Sequence, residues 1–305
     1  MVGSLVLNRF LIERRIGRGG FGTVYEAWDG RLERSVAVKA IESAAPDSDR
    51  VLREAQAAAR LNHPGIVTLY ELGEEDGNAL LVTELVDGSS LARLNRNAAL
   101  SDREIGEIGA DLCEALDHAH ERGVVHRDVK PQNVLVTEGG EPRAKLMDFG
   151  VARLTDAAAL TAPGDVVGTL AYMAPEQAEG RAVGSEADVY SLGLMLYESW
   201  SGEHPTRRAT PAATARAIGA RPRPLRRLRP DLPRDLCETI DACLHRRPER
   251  RPTLEELGEG IEETLEALAD QPPSAPKALP VRLAALGLAA ALGLWLAAGH
   301  GVLLP

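Results

Sequence analysis

The chain has 305 residues, with 35 lysines and arginines against 45 aspartates and glutamates, a formal net charge of -10 and a pI near 5.3. The length exceeds one average domain and supplies ample material for a core, while the acidic balance excludes a general nucleic-acid binder, which needs a basic face to neutralise phosphates. Three cysteines, Cys113, Cys237 and Cys243, lack paired metal spacing, so a disulfide framework or a zinc site is not expected and a reducing compartment is.

The N-terminus, Met1-Val2-Gly3-Ser4, shows no basic start with an apolar block behind it, so no secretory signal is expected. From Leu5 to about Val86 the chain reads mostly as strands, with runs such as Thr23–Trp28 and Val36–Lys39 broken by glycines and charged turns. Gly17-Arg18-Gly19-Gly20-Phe21-Gly22-Thr23-Val24 lies between two of them, and glycine lets backbone amides approach phosphate oxygens with no Cβ in the way. A plain glycine hairpin is the competing reading, and a dinucleotide fingerprint is disfavoured because a strand follows Gly22 where a helix is required. In Val36-Ala37-Val38-Lys39, alternation puts Ala37 and Lys39 on one face. A buried lysine needs a partner, and Glu54 is the candidate. It sits on the one helix expected here, capped by Asp47, Ser48 or Asp49 and stopped at Asn62-His63-Pro64.

Beyond Leu100 the period changes to that of a helix. Ser101-Asp102-Arg103-Glu104 is a capping-box sequence, Ile105, Ile108, Leu112, Leu116 and Ala119 follow on one face, and Gly123 is placed to end the run. That helix delivers His126-Arg127-Asp128-Val129-Lys130-Pro131-Gln132-Asn133, and Asp148-Phe149-Gly150 begins fifteen residues after Asn133. Phosphoryl transfer needs one carboxylate to receive the attacking hydroxyl's proton and separate oxygen ligands to hold magnesium against phosphates, and these two runs contain both. Further helices are expected over Glu186–Ser199, closed by Gly202, and over Leu254–Leu268, opened by a second capping box at Thr253 and Glu256.

With these motifs in order, the chain resembles a protein Ser/Thr kinase, and more narrowly the eukaryotic-like, membrane-anchored Ser/Thr kinases of bacteria. The resemblance implies an α+β, bilobal protein kinase fold over residues 8–268, with a small antiparallel β-rich lobe (about 8–86) holding one key helix and a larger, mainly helical lobe (about 87–268). It implies ATP as nucleotide and Mg²⁺ as cofactor, with Mn²⁺ able to substitute. Ile16, Gly17, Gly19, Gly22 and Val24 would cover the nucleotide, Lys39 would contact its α- and β-phosphates, and Glu54 would hold Lys39. Val24, Ala37 and Leu135 would sandwich the adenine; Thr83 falls at the gatekeeper position, and the backbones of Glu84 and Val86 would meet the adenine edge.

By the same resemblance Asp128 matches the base, Asn133 a magnesium ligand and Asp148 the principal one. Lys130 puts positive charge beside the transferring phosphoryl and matches the Ser/Thr class, not the tyrosine class. Thr161 and, more weakly, Thr155 match activation-loop phosphosites, which Arg127 beside Asp128 would pair with once phosphorylated. Thr169, Glu176, Asp188 and Arg251 match scaffold positions: Thr169 near Asp128 and Lys130, Glu176 paired with Arg251, and Asp188 bracing the loop backbone. Met147 and Leu170 depart from the usual pattern without removing a reacting group. The competing class is a catalytically weak pseudokinase, a nucleotide-binding signalling scaffold.

Arg221–Arg229 holds five arginines among prolines and reads either as a solvated loop or as a docking surface for acidic protein or anionic lipid. Residues 269–282 form a Pro-rich linker with Pro272, Pro273, Pro276 and Pro280. Leu283–Leu304 is 22 residues with His300 as its only ionisable side chain, long enough to cross roughly 30 Å of hydrocarbon as a helix. Lys277 and Arg282 precede it and no lysine or arginine follows, which predicts a single-pass inner-membrane anchor with the rest of the protein in the cytoplasm. Gly287 and Ala291, four apart, would let two spans approach as a homodimer. Expected partners are proteins with Ser/Thr acceptors and the membrane, not nucleic acid.

Overall fold

The computed structural model describes residues 1–19, 22–42, 59–137, 144–149 and 170–270. Glu54 with the helix expected around it, Thr155, Thr161, Thr169, the Pro-rich linker from Gln271 and the apolar run 283–304 lie outside the described residues.

The N-terminal part is one antiparallel sheet of β1 (Leu5–Val6), β2 (Phe10–Gly19), β3 (Gly22–Asp29), β4 (Arg34–Glu42), β5 (Leu69–Glu75) and β6 (Asn78–Glu84), in the order β1-β2-β3-β4-β6-β5. Alternation sorts its residues as expected: Val36, Val38 and Ala40 pack with Phe10, Ile12, Ala27, Leu80 and Val82 into one apolar core, which leaves Ala37 and Lys39 on the other face. The buried Asp29 ties the sheet's far end together, accepting from Arg9 at 2.6 and 2.8 Å and from the amides of Arg31 and Leu32. The Arg9 guanidinium holds its carboxyl down at about 2, against the cost of burial.

The second lobe is built on α1 (Leu91–Arg96), α2 (Asp102–Glu121), α3 (Pro175–Ala178), α4 (Glu186–Ser201), α5 (Pro211–Ala217), α6 (Arg234–Cys243) and α7 (Leu254–Glu262), with a small sheet β7-β8-β9 (Gly88–Ser90, Val134–Thr137, Ala144–Leu146) facing the first lobe. Both predicted capping boxes are present: Ser101 with Glu104 opens α2 and Thr253 with Glu256 opens α7. All five predicted inward residues of α2 are buried, and Gly123 turns the chain at φ 72°. The last helix is shorter than expected. It ends at Glu262 and a 3₁₀ turn, Leu265–Ala267, takes over, because the Thr264 hydroxyl donates to the Ile261 carbonyl at 2.8 Å and Gly258 and Gly260 weaken the helix before it.

α7 and the 3₁₀ turn after it lie against α2 at two glycines. A Cβ on Gly106 would meet Leu265 Cδ2 at 2.7 Å, and one on Gly109 would meet Ile261 Cδ1 at 3.1 Å. The free cysteines are all buried, consistent with inert core thiols. No helix among the described residues is long and apolar enough to cross a membrane.

Candidate active site

On the open face of β4, Lys39 Nζ donates to Asp148 Oδ2 at 2.6 Å, and both side chains are largely buried. The pair joins the two lobes. Above it β2 and β3 run in register, Gly17 opposite Val24, Gly19 opposite Gly22 and Val24 next to Lys39, with an irregularity between Arg15 and Gly17 at the exposed Ile16. Gly22 has φ 128°, and a Cβ there would come 2.1 Å from the Ala40 carbonyl oxygen, so this strand pairing requires glycine.

At the connection between the lobes the Glu84 amide donates to the Thr68 carbonyl at 2.9 Å and its own carbonyl accepts from the Thr83 hydroxyl at 3.3 Å; Val86 follows, half-buried. The Glu84 side chain pairs with Lys145 on β9 at 2.9 Å. Leu135 lies opposite Lys145 in the β8–β9 register.

The segment after α2 is held by one buried carboxylate. Asp188, in the first turn of α4, accepts from the amides of His126 (2.8 Å) and Arg127 (2.7 Å), and His120 Nε2 lies 2.7 Å from it. Arg127 takes φ 67°, a left-handed conformation uncommon outside glycine. His126 Nδ1 accepts from the Asp128 amide at 3.2 Å, which makes Nε2 the protonated nitrogen that donates to the Met147 carbonyl at 2.9 Å. Its ring stands edge-on to Phe149, 4.6 Å between centroids. This histidine thus fastens the loop carrying Asp128 to the segment carrying Asp148, and Asp148 too has φ 67°.

Asp128 Oδ2 accepts from Lys130 Nζ at 2.7 Å and from Asn133 Nδ2 at 3.0 Å. The 3₁₀ turn Pro131–Asn133 brings the amide back, and its nitrogen also donates to the Asp128 carbonyl at 2.8 Å. Two donors therefore fix the carboxylate's orientation while the Asn133 amide oxygen and the Asp148 carboxylate remain as hard oxygen donors. Among the described residues no three of His, Cys, Asp and Glu converge on one point. These donors fit a magnesium-type ion that completes its shell with phosphates and water.

A floor forms beneath this loop. Glu176 in α3 accepts two bonds from Arg251 at 2.6 and 2.8 Å, both side chains essentially buried, and Arg251 also donates to the Glu186 carbonyl at 2.7 Å. Gln177 Nε2 donates to the Arg127 carbonyl at 3.0 Å. The Tyr172 carbonyl accepts from Ser191, the Ala171 carbonyl from Thr206, and the Tyr172 hydroxyl donates to Glu198, which Arg207 also pairs with at 2.7 Å. Burial and Glu198 together push the Tyr172 hydroxyl up. His204 stands edge-on to Tyr172, 4.7 Å between centroids, and burial beside Arg207 and Arg208 pushes it down to about 3. A narrow crevice lined by Arg127, Asp128, Val129, Tyr172, Met173 and Ser191 separates floor and loop.

The protein kinase domain family matches residues 10–260 of this sequence. The chain belongs to the protein kinase family. Its bilobal arrangement, a β-rich small lobe on a helical large lobe, is that of a protein kinase domain. The chain is 41% identical to serine/threonine-protein kinase PknA of Mycobacterium tuberculosis over 260 residues, 82% of this chain and 59% of that protein. It is 37% identical to serine/threonine-protein kinase PknB of Mycobacterium leprae over 283 residues (89% and 45%) and 38% identical to serine/threonine-protein kinase PkaA of Streptomyces coelicolor over 280 residues (86% and 51%). It thus spans about half the length of these relatives.

Lys39, Asp128, Lys130, Asn133 and Asp148 converge on the interlobe face of this kinase domain, and Glu176 meets Arg251. Sequence reading missed the Glu84–Lys145 pair, Gln177, His120 and the Tyr172–Glu198–Arg207 cluster. Apart from Glu198 and Arg207, which are nine positions apart, each joins residues 26 to 68 positions apart without a local pattern to announce it.

Proposed function

We propose that this protein is a Ser/Thr protein kinase that transfers the γ-phosphoryl group of ATP to Ser or Thr hydroxyls of protein substrates, in bacterial signal transduction. The observation that carries this is the convergence of Lys39–Asp148 with Lys130–Asp128–Asn133 across one interlobe face. Asp128, fixed by Lys130 and Asn133, orients the acceptor hydroxyl and receives its proton. Lys130 places positive charge where the transferred group carries negative charge, and Lys39 holds the α- and β-phosphates. Asn133 and Asp148 hold magnesium, which neutralises phosphate charge when bound. The glycine-rich strands from Ile16 to Val24 cover the nucleotide, with Ala37, Leu135 and the Glu84–Val86 backbone around its base, and Glu54 holding Lys39.

Glu176–Arg251, Asp188 and Thr169 act as scaffold, and phosphorylation of Thr161 or Thr155 raises activity. The domain comprises residues 8–268. The apolar run 283–304 anchors it in the membrane as a single span, with the kinase domain on the cytoplasmic side and Gly287 and Ala291 favouring pairs.

The test is phosphate incorporation from labelled ATP with Mg²⁺ into a generic basic protein and into the chain itself, with Asp128→Asn as the control. Label on Ser and Thr that falls by at least a hundredfold in the variant supports the reading. Equal label in both, or nucleotide binding with none, overturns it in favour of a scaffold.

A further inference from the structure

Between His204 and Pro230 the chain carries eight arginines and no aspartate or glutamate, in a protein whose net charge is -10. One of the eight is structural: Arg229 donates to both oxygens of Asp102 at 3.0 and 2.6 Å, to Asp231 and to the Trp200 carbonyl. Arg207 is spent on Glu198. Arg208, Arg216, Arg221, Arg223, Arg226 and Arg227 are exposed and form no ion pair among the described residues.

The loop bearing the last four is rigid by construction. Leu225 is fully buried, its amide donates to Asp241 at 3.0 Å, Tyr197 donates to the Arg223 carbonyl at 2.7 Å, and Pro222 and Pro224 restrict the backbone between. An ordinary solvated loop needs no such anchoring, and the arginines are thereby presented together at fixed places.

Where the loop lies decides what it meets. Arg229 grips Asp102, the first residue of α2, and the next residue, Arg103, donates its amide to the Ala269 carbonyl at 3.2 Å. The arginine loop therefore adjoins the point where the chain leaves the domain. Only residues 271–282 separate Asp270 from Leu283, a reach of at most about 47 Å, and they contribute Lys277 and Arg282. Around Arg103 itself Glu107 and Asp270 gather at 3.0 and 3.6 Å, so carboxylates near the exit are held by a basic partner of their own.

We infer that Arg221, Arg223, Arg226 and Arg227 seat this face of the large lobe on the anionic lipid headgroups of the membrane that holds the C-terminal span. The inference rests on the anchoring reading. With the arginine loop on the headgroups, the interlobe face stands at a fixed orientation to the bilayer.

The full chain, with Ala220→Cys carrying a fluorophore beside the loop and Asp76→Cys as a small-lobe control, is added to phosphatidylcholine vesicles with or without about one-third phosphatidylglycerol. A nitroxide on the phosphatidylcholine headgroup reports proximity by quenching, and flotation reports anchoring. The native cysteines are buried and do not interfere. The expected result is flotation with both vesicles and quenching at 220 only with the anionic lipid. Quenching should be lost in molar salt and in the Arg221→Gln, Arg223→Gln, Arg226→Gln, Arg227→Gln variant, and be absent at 76. Basic residues at such a surface act nearly additively, so removing four should weaken the contact on the order of a hundredfold or more.

Flotation with both vesicles but no arginine-dependent quenching overturns the inference and leaves the anchor standing. Flotation only with anionic vesicles, dependent on the arginines, removes the anchor and with it the inference, leaving a peripheral electrostatic contact; flotation with neither also removes both. Tight, arginine-dependent binding of a polyglutamate peptide with no quenching by lipid overturns it in favour of an acidic protein partner.

Discussion

Asp188 shows how much one side chain holds in place. Its carboxylate accepts the amides of two consecutive residues directly before Asp128, one of them at positive φ. Asparagine has one oxygen and cannot accept both bonds well, so Asp188→Asn should cost about 1–3 kcal/mol in chemical denaturation and lower kcat more than KM for ATP. Unchanged kcat would show that the loop keeps its shape without this carboxylate. Gly22→Ala meets the Ala40 carbonyl at once. The expected outcome is a rise in KM for ATP of tenfold or more together with a lower melting temperature, measured by steady-state kinetics and thermal unfolding.

His204 sets a pH dependence with a defined sign. It ordinarily titrates near 6.5 and burial holds it at about 3, so between these values the unfolded chain binds the extra proton. Its contribution is fully present above pH 6.5 and is lost as pH falls toward 3, with a slope of at most about 1.4 kcal/mol per pH unit. Urea unfolding of His204→Gln between pH 4 and 7 should show a flatter profile than the native chain. Identical slopes would refute the assignment.

At the scale of elements, the Glu176–Arg251 pair pins α3 to the turn before α7. Glu176→Ala leaves a buried guanidinium without its carboxylate, and the expected loss is about 3–5 kcal/mol, read from urea midpoints. Glu176→Leu with Arg251→Met should recover most of it, since two apolar groups of similar length fill the same space; a double variant as unstable as the single one would contradict this. These elements were legible from the sequence to different degrees. The capping boxes at Ser101 and Thr253 and the alternation in β4 carry their signals within a few residues, and both helix starts and the buried face of β4 followed. The end of α7 depended on a Thr264 side chain competing for a backbone carbonyl, which helical periodicity does not encode. Asp128 and Asp148 were readable as a motif, whereas the Lys39–Asp148 bond spans 109 positions and could only be seen once both lobes were folded.

For the whole molecule, the bonds between the lobes among the described residues gather at β9 and Asp148. Lys39–Asp148 is one; Glu84–Lys145 is another, with β9 also bonded on both sides of Leu146 to Gly65 and Val67. The Glu84–Lys145 pair is partly exposed, so Lys145→Met should cost no more than about 1 kcal/mol, a few degrees in melting temperature. Because Lys145 sits three residues before Asp148 and grips the interlobe connection, the same variant should still shift KM for ATP severalfold. A melting shift with unaltered KM would make the pair merely structural. The close seam between α7 and α2 has a mechanical side. Gly106 and Gly109 leave room for the side-chain ends of Leu265 and Ile261, and the chain leaves the domain from that seam through the Arg103–Ala269 bond. Tension applied to the tail is thus borne as shear along α2, the helix that ends five residues before His126, so a load beyond residue 270 reaches the Asp128 loop through a stiff rod and not through slack chain.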